Sequence, residues 1–400
     1  MSAPISDYLV LGGGLGGVTA AYVLALAGKN VVLVDRSLPE ANGALGGFTR
    51  FSGAKFSLLP AGQGLVPVAG GVENLRRVIG EVLNFCGLDG HQAIGSRDLL
   101  EDRPLAAGTN IRAYQSLLLT PSQIEHTVQR ISNRIRRLVR VIDAEVLTIE
   151  HISSRWVALG VNGKIAEGRI AVFAGGRTAG SLLRRAGATP QEGKGVDLGI
   201  RVEFLELEGI RLLRERGPDA KILMGRTRTF CLNYPGTVFR YSFQDISIPG
   251  GIVADQSEPS GNFGILTRIQ GKEEAVARVL RYLRTVPRDA YETARVVQGA
   301  PFQDKMPMMQ SAYGSEAADL LQKFGETMGE VGLVDWNSNH RIHFPLLDWH
   351  WDTFAVGFSH RTDQPNLFVA GDAAGHARGL LQAGVSGWLA ADEALADASV

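Results

Sequence analysis

The chain has 400 residues, enough for roughly two domains rather than one ordinary core. Apolar residues make up 45% and charged residues 20%, a soluble globular mix that excludes disorder as the main state. Basic and acidic residues cancel, 41 against 41, which excludes a global electrostatic pull toward nucleic acid or an anionic membrane.

Met1–Asp7 carries no basic segment, and the apolar stretch after it breaks at Gly12, Gly13 and Gly14. No signal peptide is expected. No apolar run reaches the roughly 18 residues of a spanning helix. Tyr8–Leu11 reads as a short strand, followed by an alanine-rich helix over Leu15–Ala27 that stops at Gly28. A second apolar run, Val31–Val34, ends in Asp35. Between the first strand and the helix stands Gly12-x-Gly14-x-x-Gly17. Strand, glycines, helix and acidic residue together form the pattern of a dinucleotide-binding turn. Gly12 makes the tight turn, and Gly14 lets the backbone approach a pyrophosphate at the helix N-terminus. Gly17 lets helix and strand pack closely, and Asp35 accepts from a ribose hydroxyl. Leu15, Gly16 and Arg36 complete the expected contacts of this turn.

Glycine-rich loops run from Asn42 to Gly71. Val72–Phe85 reads as a helix, with Leu75, Val78, Ile79, Val82 and Leu83 on one face and Gly87 as its stop. Thr120, Pro121 and Gln123 open another, with a capping box and proline at the first helical position. Its apolar stripe is Ile124, Val128, Ile131, Ile135 and Leu138. Its arginines, Arg130, Arg134, Arg136, Arg137 and Arg140, read as a solvated face. From Val141 to Gly176 the pattern turns to strands, with a hairpin of Val157–Val161 and Ile165–Ala174 about Asn162-Gly163. Strand-like runs mix with helices such as Lys272–Arg284 between Asp197 and Asn339. The chain closes with a strand, Asn366–Ala370, a glycine-rich loop and a helix from Gly379 to Ala396.

His340-x-x-His343 has no supporting Cys or carboxylate set, so no metal is expected there. Two cysteines, Cys86 and Cys231, cannot form a disulfide framework and fit a reducing, cytoplasmic compartment. Cys231 reads as a buried small hydrophobe.

Leu367–Ala370 followed by Gly371-Asp372, a loop and a helix resembles the second cofactor motif of flavoproteins with one Rossmann-type domain. With the Gly12–Gly17 turn, the chain resembles the FAD-dependent dehydrogenases of the glutathione-reductase-type superfamily. The resemblance extends through Gly46-Gly47-Phe48-Thr49-Arg50-Phe51-Ser52-Gly53-Ala54-Lys55 and Ala174-Gly175-Gly176-Arg177-Thr178-Ala179-Gly180. It continues through Val196–Glu203, Arg228-Thr229-Phe230-Cys231 and Gly371–Gly379. It implies FAD as cofactor, with contacts from Gly46, Gly47, Phe48, Ala174, Gly175, Gly371, Asp372, Gly379 and Leu380. Asp372 would bind the ribityl chain, and the last helix would point its N-terminus at the isoalloxazine. The candidate catalytic residues are Lys55, Cys231 and His376. The group's second Cys is missing after Cys231, where Leu232-Asn233-Tyr234 stands instead.

The expected fold class is α/β: a Rossmann-type FAD-binding domain with a β-meander, plus an α+β substrate domain on a mixed β-sheet. Residues 1–200 and 346–400 would form the first and 201–345 the second, with 72–118 able to lie on the substrate side. The expected function is hydride transfer between flavin N5 and a small organic substrate held between the domains. A flavin-dependent monooxygenase or reductase, and a flavoprotein with structural FAD, are the alternatives. Trp349-His350-Trp351 lacks the Ile-Pro of the halogenase tryptophan motif. A second Gly-x-Gly-x-x-Gly between strand and helix is absent, so NAD(P)H, where it reacts, is a transient visitor with no domain of its own.

Overall fold

The computed structural model describes residues 5–36, 43–95, 103–106, 108–113, 115–178, 180–193 and 195–398. Its first sheet grows from the opening β-α-β unit. Ile5–Leu11 pairs in parallel with Val31–Asp35 on one side and Gly163–Phe173 on the other. Arg140–Asp143 joins outside Val31–Asp35, and Leu367–Val369 outside the end of Gly163–Phe173, both parallel. Tyr8–Leu11 and Val31–Val34 are buried without alternation. Helices and loops cover both faces of a parallel sheet, so its strands read as continuous apolar runs. The first half of Gly163–Phe173 instead pairs antiparallel with Arg155–Gly160, which pairs antiparallel with Thr148–Ile152. That is the meander, and one long strand serves both arrangements.

The first helix, Leu15–Leu26, crosses the last, Leu380–Asp397, at backbone contact. A Cβ on Gly387 would lie 1.9 Å from the Gly16 carbonyl oxygen, and one on Gly16 would lie 3.1 Å from that of Ala383. Only missing side chains permit that approach, which explains why both helices are rich in Gly and Ala. Helix Pro121–Leu138 starts with the expected capping box. The Gln123 N–H donates to Thr120 Oγ1 at 3.2 Å, and the Thr120 N–H donates to Gln123 Oε1 at 2.9 Å. Its arginines form the exposed face that the sequence suggests, and three of them also reach neighbouring acceptors. Arg130 donates to the Cys86 carbonyl, Arg134 to the Tyr22 hydroxyl at 2.6 Å and Arg136 to the Gly43 carbonyl at 2.6 Å. Their long stems reach acceptors that only the folded neighbours supply.

The second sheet has Val196–Phe204 near its centre, between Gly261–Ile269 and His340–Asp348. Every residue of Val196–Phe204 is buried. Thr227–Asn233 and Lys221–Met224 extend the sheet beyond Gly261–Ile269, followed by Asn110–Arg112 and Arg103–Pro104. Val296–Val297 lies at the opposite edge. Every pairing among the described residues of this sheet is antiparallel, where a mixed sheet was expected. Neighbouring strands run in opposite directions whether a short turn joins them, as between Met224 and Thr227, or helices do, as between Val297 and His340. Helices Lys272–Leu283, Met306–Tyr313 and Ser315–Glu330 pack on it, around Phe204, Phe263, Tyr313 and Phe324. Val196–Phe204 and His340–Asp348 lie whole in this sheet, although they straddle residues 200/201 and 345/346. Segment 72–118 divides. Helix Val72–Cys86 packs on the Rossmann core, while Arg103–Arg112 contributes strands to the second sheet. No helix among the described residues is long and apolar enough to cross a membrane.

Candidate functional site

The carboxyl ends of the parallel strands open on a cavity of about 1010 Å³ that also reaches the second sheet. That is where ligands sit in open parallel sheets. Its first wall is mostly backbone. Gly12, Gly14, Leu15 and Gly16 line it at the first strand–helix turn, and Asp35 and Arg36 at the end of the next strand. Gly46 and Gly47 line it from a short 3₁₀ turn, Gly47–Phe51, and the Phe48 side chain lies outside the described residues. Ala174 and Gly175 follow the long central strand. Gly371, Asp372, Gly379 and Leu380 line it from the C-terminal motif.

The glycines divide their work. A Cβ on Gly17 would lie 1.8 Å from the Gly12 carbonyl oxygen, so Gly17 packs helix on strand and stays off the cavity. Gly12 has φ +102°, and a Cβ there would lie 2.5 Å from the Ala174 carbonyl oxygen. Gly14 has nothing within 4 Å of its would-be Cβ, leaving room for a ligand to approach the backbone. It is the N-cap of Leu15–Leu26 and has no side chain to cap the helix. The first N–H groups therefore stay available to an anion, with the helix dipole behind them. The Gly13 N–H donates to Asp35 Oδ1 at 2.7 Å. Burial raises the Asp35 pKa, and the Gly13 hydrogen bond opposes it. The carboxylate keeps further lone pairs for ribose hydroxyls. This cradle fits FAD.

At the other end, Gly379 caps Leu380–Asp397 with φ +129°. The Gly371-Asp372 turn is braced from behind. The Gly371 N–H donates to Ser386 Oγ at 2.9 Å, and Trp351 Nε1 donates to the Asp372 carbonyl at 3.0 Å. His376 lines the cavity, but its Nε2–H donates to the Ser359 carbonyl at 2.6 Å. That bond fixes its tautomer.

The second wall is made of side chains. Lys55 and Cys231 meet there, Nζ to Sγ 3.8 Å, and Lys55 also pairs with Asp219 at 3.1 Å. Cys231 has φ +48°, and the strand register shifts between Phe230 and Asn233. Bulges re-aim side chains, and here neighbouring Phe230 and Cys231 both line the cavity. Burial pushes the Cys231 pKa up, but Lys55 and Arg201 outweigh it, and the net shift is down. Cys231 is thus half-buried beside a cation rather than sequestered as a hydrophobe. Cys86, inside the Rossmann core, is pushed up to about 12 by burial.

Sequence reasoning missed most of the charged side chains on this wall. Arg228 donates to Asp197 at 2.5 Å, and Arg378 pairs with Asp348. Burial pushes the Asp348 pKa up, but Arg378 and Arg228 hold it below the usual carboxylate range. Arg177 donates to the Tyr241 hydroxyl at 3.1 Å. Strand alternation carries part of this signal: Thr227 and Thr229 are buried, while Arg228 and Phe230 line the cavity. His340 and His343 lie elsewhere. His340 Nδ1 sits 2.9 Å from the Ser338 carbonyl, and His343 Nε2 sits 3.1 Å from Glu203.

Residues 7–58 match the model of a family described as FAD binding domain. No curated protein matches the sequence. Among solved structures, the chain is similar to a flavoprotein/dehydrogenase from Cytophaga hutchinsonii. Identity is 13% and the TM-score 0.48, covering 99% of this chain and 79% of that one. It is also similar to a geranylgeranyl bacteriochlorophyll reductase-like protein from Thermoplasma acidophilum. There identity is 13% and the TM-score 0.48, with coverage of 100% and 80%. The family match falls on the turn whose geometry fits FAD. The matched segment and the cradle agree on FAD as the cofactor of this Rossmann-type unit.

Proposed function

We propose that the chain is an FAD-dependent dehydrogenase that moves a hydride between the flavin and a small organic substrate held against the second sheet. One observation carries this reading: the glycine wall and the charged wall line a single cavity of about 1010 Å³. Drug-sized ligands occupy pockets of roughly 300–1,000 Å³, so the space suits an extended cofactor with a smaller molecule beside it. When bound, FAD supplies a two-electron centre that takes or gives hydride.

The chain's own residues do the rest. Gly12, Gly14 and the start of Leu15–Leu26 hold the pyrophosphate end, and Asp35 holds the ribose. The uncapped start of Leu380–Asp397 offers N–H donors at the far end. Phe239, Tyr241 and Trp349 line the cavity and displace water. Lys55 Nζ and Cys231 Sγ, in contact with each other, hold a proton next to the substrate space. NAD(P)H, where it reacts, docks transiently in the same cleft. The test is anaerobic titration of the purified holoprotein with candidate substrates. The protein releases FAD rather than FMN on denaturation, and a true substrate bleaches the flavin without oxygen. Turnover that requires oxygen and leaves an oxygen atom in the product overturns this reading in favour of a monooxygenase.

A further inference from the structure

The charged wall is unbalanced. The Phe230 ring has four cationic groups around its centroid: Arg378 at 5.4 Å, Arg228 at 5.7 Å, Lys221 at 5.8 Å and Arg201 at 6.0 Å. Lys55 and Arg177 line the same cavity. The carboxylates that answer them are fewer. Asp219 is shared by Lys55 at 3.1 Å and Lys221 at 3.5 Å. Asp197 is shared by Arg228 at 2.5 Å and Arg268 at 2.8 Å. Asp348 pairs with Arg378, and Asp372, which lines the cavity, is the fourth carboxylate near these cations.

Two arginines lack a carboxylate partner among the described residues. Arg201, 1% exposed, uses the Asn262 amide oxygen at 2.7 Å. Arg177 uses the Tyr241 hydroxyl at 3.1 Å, with its guanidinium 4.7 Å from the Tyr241 ring and 5.6 Å from that of Trp351. Cations gathered in one cleft repel one another and draw in an anion. The chain as a whole is neutral, 41 against 41, so this excess is local. Pyrophosphate charge belongs to the Gly12–Gly17 turn on the opposite wall, which leaves the second-sheet side wanting an anion of its own. Aromatic side chains stand beside these charges, with Phe230, Phe239, Tyr241 and Trp349 along the cavity.

Resting on the dehydrogenase reading for the place of the substrate, we propose that this cleft takes a planar organic carboxylate and that Arg177 holds its carboxylate group. A guanidinium matches a carboxylate with two parallel hydrogen bonds, and the ring stacking under Arg177 holds it in orientation.

The test uses the FAD-loaded protein and four probes: benzoate, cinnamate, benzamide and cinnamamide. Binding is read from the perturbed flavin absorption, so it needs no turnover. The two carboxylates bind, and their amides bind at least ~10-fold more weakly, the worth of a charge-assisted hydrogen bond. Arg177→Gln removes that preference and keeps its FAD content. Arg177→Lys keeps the charge but not the bidentate geometry, and retains part of the preference. Equal binding of acid and amide, no binding of either acid, or an unchanged acid preference in Arg177→Gln overturns the proposal. Carboxylates that bind as described, in a protein whose flavin no substrate bleaches, uphold this proposal while the dehydrogenase reading fails.

Discussion

The two walls of the cleft recognise by opposite means. The Rossmann wall works through what its residues lack: glycines without Cβ atoms let helix, strand and ligand approach one backbone, and the polar contacts are main-chain N–H groups. The second wall works through long side chains drawn from the second sheet and from loops of the Rossmann unit, where Lys55, Arg177, Arg228 and Arg378 meet Asp219, Tyr241, Asp197 and Asp348. The first arrangement is stiff and intolerant of added atoms. The second is held by charge pairs, answers to pH and can be retuned by single substitutions. On the proposed reading, cofactor binding belongs to the wall that tolerates fewer added atoms and substrate choice to the other.

The largest expected effect breaks the first wall. Gly17→Val places a Cβ 1.8 Å from the Gly12 carbonyl oxygen, against backbone that cannot yield, with the Ala174 Cβ 3.2 Å away. The variant accumulates little folded, flavin-containing protein, as measured by soluble yield and bound FAD. Gly14→Ala, with nothing within 4 Å of the new methyl group, folds and loses FAD affinity instead. A smaller effect comes from Asp35, a charged contact on that wall. Asp35→Ala removes an acceptor of charge-assisted hydrogen bonds worth about 1.5–3 kcal/mol, and FAD retention falls ~10–100-fold by equilibrium dialysis. An exposed carboxylate such as Asp89 changed to Ala leaves retention as it was.

The smallest effect sharpens the contrast through the two cysteines. Cys231 carries a lowered pKa because Lys55 and Arg201 outweigh burial, while burial holds Cys86 at about 12. Thiolate is the reactive form, so Cys231 is alkylated by iodoacetamide with a midpoint below the ordinary value of 9.0, and Cys86 stays unreactive in the folded protein. Lys55→Met removes the larger of the two opposing charges and moves that midpoint upward. The pH profile of alkylation, read by mass spectrometry, checks both.

Legibility in the sequence follows the same division. The Gly12–Gly17 turn, Asp35 and the capping box at Thr120 were readable, because each is a local requirement of the backbone, and the Gly371–Gly379 motif was readable through its resemblance to flavoproteins. The sense of strand pairing in the second sheet was not, since an apolar run such as Val196–Phe204 is equally compatible with parallel or antiparallel neighbours. Cys231 shows the limit at one residue. Its composition signal is that of a small hydrophobe, and a strand irregularity together with Lys55, distant in sequence by 176 residues, makes it the opposite.

The sequence by itself determined the Rossmann unit and its dinucleotide cradle. The spacing of three glycines, a helix and an acidic residue acts within a few dozen residues, and the backbone has few ways to satisfy it. Only the tertiary structure decided what faces that cradle. The charged wall draws on residues 55, 177, 197, 219, 228, 348 and 378, which share no spacing and meet only when both sheets have formed. Coulomb interactions act across space with no regard for chain order, so neither the cationic excess nor its missing anion leaves a periodic trace in the sequence.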